Sequence, residues 1–138
     1  MADRVRKVNY CYVTVPNRAG HGVRVLGALA EAGVNLAAMV GFPASGGKAQ
    51  LDFIGDGLGV IRRVAGRLGY RVSRTKRAFL IQGADKPGAV HRHLKRVADA
   101  GISLTASAGV ASGGRRYGMV LWVKAKDYGR AARALRAR

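Results

Sequence analysis

The sequence predicts an α+β protein built of two βαββαβ units in tandem, and three observations carry that prediction. First, one stretch is written twice at an offset of 68 positions: NRAGHGVRVLGALAEAGVNL over 17–36 and DKPGAVHRHLKRVADAGISL over 85–104. Gly20 matches Gly88, Arg24 Arg92, Leu26 Leu94, Ala30 Ala98, Gly33 Gly101 and Leu36 Leu104, which is the signature of a repeated structural unit. Second, runs rich in β-branched and aromatic residues stand at the same place in each copy. Third, glycines fall at the points where each periodic segment must turn.

The elements follow in order within each copy. VNYCYVTV (8–15) and RAFLIQGA (77–84) are first strands. After NRAG or DKPG, Leu26, Leu29 and Ala30, or Leu94, Val97 and Ala98, recur at three- and four-residue spacing and form the apolar stripe of a helix. Gly33 and Gly101 stop those helices. Second strands are expected over 34–42 and 102–110, hairpin loops at the two SGG sequences, and third strands over 49–54 and 116–123. Second helices are expected over 59–69 and 126–136. A closing strand, YRVSRTK (70–76), exists only in the first copy. Strand, helix, strand, strand, helix, strand is the ferredoxin-like order, an antiparallel sheet with both helices on one face. The units are therefore expected at 1–76 and 77–138, the second lacking its last strand. Its open edge calls for the strand at 70–76, the N-terminal strand or another chain, so a homodimer or higher oligomer is expected.

Composition narrows the function. The chain of 138 residues holds 20 glycines and only 3 prolines and is apolar over nearly half its length, as a globular chain of one or two small cores is. No stretch reads as a membrane span and MADRVRKVNY is not a secretory signal, so a cytoplasmic protein with no membrane partner is expected. The lone Cys11 reads as a small core hydrophobe. The net charge of +18 makes nucleic acid a possible partner, but the excess is spread over both halves and forms no tail. Arg130, Arg133 and Arg136 read as a solvated helix face. His91 and His93, two apart on a helix, cannot share a metal and read as surface residues. No nucleophile stands with a base, and seven acidic residues leave little for acid–base work, so no enzyme, metal or cofactor is expected.

The NRAG and DKPG turns carry the chemistry. Each leads a strand into the positive end of a helix, a place suited to a carboxylate, and their glycines let a ligand approach the backbone. Asn17 and Asp85 stand where a side chain could hold an amino group or cap the turn. A strand, then D-x-x-G or N-x-x-G, then a helix ending in LAEAGVNL or VADAGISL resembles the ACT domain, a regulatory module of amino-acid metabolism. That resemblance covers nearly the whole chain as a tandem pair of the kind that works as a stand-alone regulator. It implies paired units that bind an amino acid or related small carboxylate at their interface and pass the change to a regulated enzyme. Carried onto this chain, the binding positions are Asn17, Gly20, His21, Asn35 and Leu36 in the first copy and Asp85, Gly88, Ala89, Ser103 and Leu104 in the second.

One alternative shares the topology. RRYGMVLWV (115–123) resembles the third-strand signature of RNA-recognition motifs, with Phe79 as a first-strand aromatic, and implies a basic RNA-binding protein. The equivalent strand of the first copy, KAQLDFI (48–54), has none of it, and the repeat outweighs the signature. Tyr10, Tyr12, Tyr117 and Met119 are then expected to cover the open sheet face in a dimer.

Overall fold

A computed structural model describes residues 2–138. The elements run β1 (Arg4–Pro16), α1 (His21–Glu31), β2 (Ala38–Ala44), β3 (Lys48–Ile54), α2 (Leu58–Arg67), β4 (Arg71–Val72), β5 (Lys76–Ala84), α3 (Ala89–Asp99), β6 (Leu104–Gly113), β7 (Arg116–Val123), a 3-10 turn over Ala125–Asp127, and α4 (Tyr128–Leu135). The fold is α+β with two ferredoxin-like units. One compact unit is Asn9–Lys76; the other joins Arg77–Arg138 to the chain up to Val8. The opening residues, assigned from sequence to the first unit, thus group with the second.

In the unit of residues 9–76 the strands lie in the order β2-β3-β1-β4, all antiparallel. Alternation decides the faces: Cys11, Val13 and Val15 of β1 and Leu51 and Phe53 of β3 point to the helices and are buried. Against them α1 lays Val25 and Leu29, and α2 lays Leu58, Ile61 and Ala65, each set at helical spacing. Cys11 is fully buried and burial pushes its thiol pKa up, as for an inert core residue. The last strand is shorter than its sequence suggests. Ser73 Oγ accepts from the Tyr12 backbone N–H at 2.9 Å, so a side chain takes over from the ladder one residue beyond β4.

The unit of residues 77–138 orders its own strands β5-β7-β6, with α3 and α4 on one face. Phe79, Ile81, Tyr117, Met119 and Leu121 face those helices, and Phe79 stacks on Tyr128 with ring centres 4.5 Å apart. The first part of β1 lies on the free side of β5, where the missing fourth strand belongs. Val5 enters this unit's core. Lys7 N–H donates to the Arg138 carbonyl and Arg138 N–H to that of Val5, both at 3.0 Å, which pairs the other side of the segment. The open edge foreseen in the sequence is therefore covered by the N-terminal strand. α1, α2 and α3 all end on left-handed glycines, Gly33, Gly69 and Gly101, with the six-to-one hydrogen bonds of the Schellman motif. Among the described residues no helix is long and apolar enough to cross a membrane.

Removing residues 2–8 uncovers β5 and empties the place of Val5, and is expected to destabilise this unit by at least about 2 kcal/mol. In hydrogen exchange the amides of 77–84 should lose protection while those of 49–54 keep theirs. Unchanged protection at 77–84 would refute the assigned strand.

Candidate functional site

The two repeated junctions are built alike. Gly20 (φ 98°) and Gly88 (φ 83°) sit in the left-handed region at the N-caps of α1 and α3, where a side chain would be strained, and the space around them is open. No side chain caps either helix, so Asn17 and Asp85 do not fill that role, and neither first turn holds an acid. The His21 and Ala89 N–H groups close the turns onto the Arg18 and Lys86 carbonyls, at 3.5 and 3.1 Å, and each helix start keeps its positive end for an anion.

The chemistry around the junctions differs. At the second, Asp85, Gly88 and Ala89 come together with His91 and with Gly109 and Val110 of β6 around a groove of about 330 Å³. Asp85 and Lys86 both line this groove, beside the start of α3. At the first, the Asn17 N–H donates to the Gly47 carbonyl at 2.9 Å, and His21 Nδ1 meets the Tyr70 hydroxyl at 2.8 Å. Arg24 lies over the Tyr70 ring, 5.6 Å from its centre. His21 is therefore tied to its own unit.

The remaining predicted positions are not brought to these turns within a unit. Asn35 and Leu36, and Ser103 and Leu104, follow the far ends of α1 and α3. An eleven-residue helix puts about 16 Å between its two ends. Asn35 and Ser103 are exposed and Leu36 and Leu104 half-buried. Each unit thus presents half of the expected site at either end.

A second polar constellation escaped the sequence reading. The Asp3 side chain is only 4% exposed, and its Oδ2 accepts from Tyr117 Oη at 2.5 Å, meets His93 Nε2 at 2.6 Å and pairs with Arg92 at 2.5 Å. His93 is buried, not a surface residue, because it falls on the α3 stripe with Ala89 and Val97. Gly83 makes room for the carboxylate, since a Cβ there would collide with Asp3. Burial alone would raise the Asp3 pKa; hydrogen bonds from His93, Tyr117 and Arg92, with the Arg92 charge, outweigh it and hold the group at about 2. Burial, then the bond to Asp3, pushes Tyr117 up to about 12. The sequence signal was the four-residue spacing of Ala89, His93 and Val97.

The same packing removes the RNA-recognition surface. Tyr117 and Met119 face the helices rather than the open side of the sheet, and Phe79 is fully buried beneath Tyr128. The aromatics that would stack bases are core residues. Among the described residues no cluster of metal-ligating side chains occurs.

No protein-family model and no curated protein matches the sequence. Solved structures resemble it along its length. A protein of Bacteroides thetaiotaomicron superposes with a TM-score of 0.78 at 17% identity, over 97% of this chain and 88% of that one. The ligand-free regulatory subunit of aspartate kinase from Thermus thermophilus matches with a TM-score of 0.65 at 17% identity, over 98% and 93%. Aspartokinase III of E. coli, in complex with aspartate and ADP, matches with a TM-score of 0.56 at 14% identity, over 97% of this chain and 32% of that one. Likeness at these identities establishes the fold, two ferredoxin-like units in tandem.

Because Asp3 is held at about 2 against an ordinary 3.8, its ionised form stabilises the folded state; that contribution is complete above about pH 4 and is lost as pH falls towards 2. Asp52, buried in β3 and raised by that burial against its bond from Gln50 and the Lys76 charge, acts in the opposite sense in both proteins compared. Asp3→Asn should flatten the fall in unfolding free energy, read from urea titrations, between pH 4 and pH 2 by on the order of 1–2 kcal/mol. An unaltered pH profile would show that the carboxylate is not held in this way.

Proposed function

We propose that the protein is a non-catalytic regulatory module which binds an amino acid or related small carboxylate at an interface between ACT-type units, in a homodimer or larger assembly. The groove at Asp85, Gly88 and Ala89 carries this reading. It offers the start of α3 to a carboxylate and the Asp85 side chain to an ammonium group. The other half of the site, Asn35 and Leu36 or Ser103 and Leu104, would come from a second ACT-type unit. Exposed edge strands favour such pairing: β6 is exposed over nearly all its length and β2 leaves Met39 and Phe42 uncovered. The fold supports a regulatory role, since the Thermus thermophilus match is itself a regulatory subunit. Ligand binding would tighten the assembly, and a partner enzyme would read that shift.

The reading is tested by a thermal-shift screen of the twenty amino acids, with oligomer mass followed by light scattering. A ligand at a hundred times its Kd should add about 2.7 kcal/mol to stability and raise the melting temperature. Asp85→Ala should abolish the shift while leaving the circular dichroism unchanged. If no amino acid raises the melting temperature, or if Asp85→Ala leaves the shift intact, the proposal fails.

A further inference from the structure

The unit containing α3 and α4 carries a second concavity, a cleft of about 790 Å³ lined by Arg4, Arg6 and Lys7 of β1, Arg92 and Arg96 of α3, and Arg136 beyond α4. Asp3 supplies the carboxylate side chain in this lining; its Oδ2 is engaged by Arg92, His93 and Tyr117, while its Oδ1 is buried without a partner. Arg4, Lys7, Arg96 and Arg136 have no ion-pair partner among the described residues. The cleft is therefore strongly positive, and a low-dielectric wall concentrates that field.

A second observation separates this cleft from an ordinary basic surface. His93, a cleft residue only 2% exposed, has no partner for its Nδ1, and Arg6 Nε and Arg92 Nε are likewise buried without an acceptor. The two guanidinium Nε–H groups are thus unanswered donors at one concavity, beside the unpartnered His93 Nδ1 and Asp3 Oδ1. The remaining Arg6 contact, Nη2 to Gln82 Oε1 at 3.2 Å, goes to a neutral group and leaves the guanidinium charge uncompensated.

The ligand class follows from charge and from what the lining lacks. An amino acid brings one carboxylate and an ammonium group that these cations repel, so this is not a second copy of the Asp85 site. Guanidinium forks fit phosphate oxygens two at a time. The lining contains no Phe, Tyr or Trp, so nothing is placed to stack a nucleobase, as single-stranded nucleic acid binding requires. We propose that this cleft is a binding site for a chain of two or three phosphates, recognised through its phosphate oxygens alone.

Inorganic pyrophosphate and tripolyphosphate are the probes, titrated calorimetrically into the full chain at fixed ionic strength. Both should bind with one-to-one stoichiometry, tripolyphosphate the more tightly, and orthophosphate at least tenfold more weakly. Arg96→Gln/Arg136→Gln removes two exposed cations without touching the Asp3 cluster, and should weaken tripolyphosphate at least tenfold. Arg63→Gln/Arg67→Gln removes the same charge from α2 of the other unit and should change it less than twofold. Equal losses from the two pairs would show a general charge effect and overturn the site. So would the absence of saturable binding. A single-stranded oligonucleotide that binds the cleft more tightly than tripolyphosphate would replace this assignment by a nucleic-acid one. The amino-acid response is read separately: Arg96→Gln/Arg136→Gln leaves Asp85 in place, so either proposal can fail while the other stands.

Discussion

An antiparallel sheet packed under two helices has an edge on each side, and the unit of residues 77–138 owns only three strands to fill its frame. The rest of that unit depends on how the β5 edge is closed. The segment before Val8 closes it, and one side chain holds the segment in register. Asp3 is buried against Gly83 and draws donors from two residues of α3 and one of β7. A carboxylate taken out of water without partners would be prohibitively costly or would take up a proton. With three donors it stays ionised, and it joins the N-terminal segment to a helix and to the sheet at once.

Much of this fold could be read in the residues. The duplicated turn, the helix stripes, the left-handed glycines after α1 and α3 and the two hairpins follow from periodicity and from glycine's backbone freedom. The hairpin after β6 shows how local such signals are: Gly114 and Arg115 both take φ 60°, the geometry of a two-residue turn. What could not be read was pairing between distant segments. Arg4, Val5, Arg6 and Lys7 look like a solvated start because a single apolar residue among cations is a weak strand signal. Only the presence of an uncovered β5 gives Val5 somewhere to go.

Strand parity explains the other differences. In β7, Tyr117, Met119 and Leu121 share one face and Val120 and Trp122 the other, and both sets are apolar enough to be buried. Alternation alone cannot say which set meets the helices, so an RNA-motif reading of RRYGMVLWV was available to the sequence. Contact with α3 and α4 decides it, because Tyr117 finds both a core and a buried carboxylate on that side. Histidine misled for a similar reason. His93 occupies a stripe position that would ordinarily hold an aliphatic residue, and it is tolerated there because Asp3 answers its Nε2.

Helix α3 is where the two concavities of this unit meet mechanically. Its first residue, Ala89, lines the Asp85 groove, while Arg92, His93 and Arg96 along its length line the cationic cleft. The Tyr117 hydroxyl reaches both regions, 2.5 Å from Asp3 Oδ2 and 3.4 Å from the Ala89 carbonyl. An α-helix of eleven residues moves as one body, and close packing against β5 and β7 leaves it few independent adjustments. The two concavities also differ in charge. One presents an acid and a lysine, Asp85 and Lys86, beside a helix start, the other an excess of guanidinium groups, so their fields differ. A surplus of positive charge that looks unspecific in the composition is, in this unit, unevenly placed by the fold: Asp85 and Lys86 offset one another at the groove, while Arg4, Arg6, Lys7, Arg96 and Arg136 gather at the cleft.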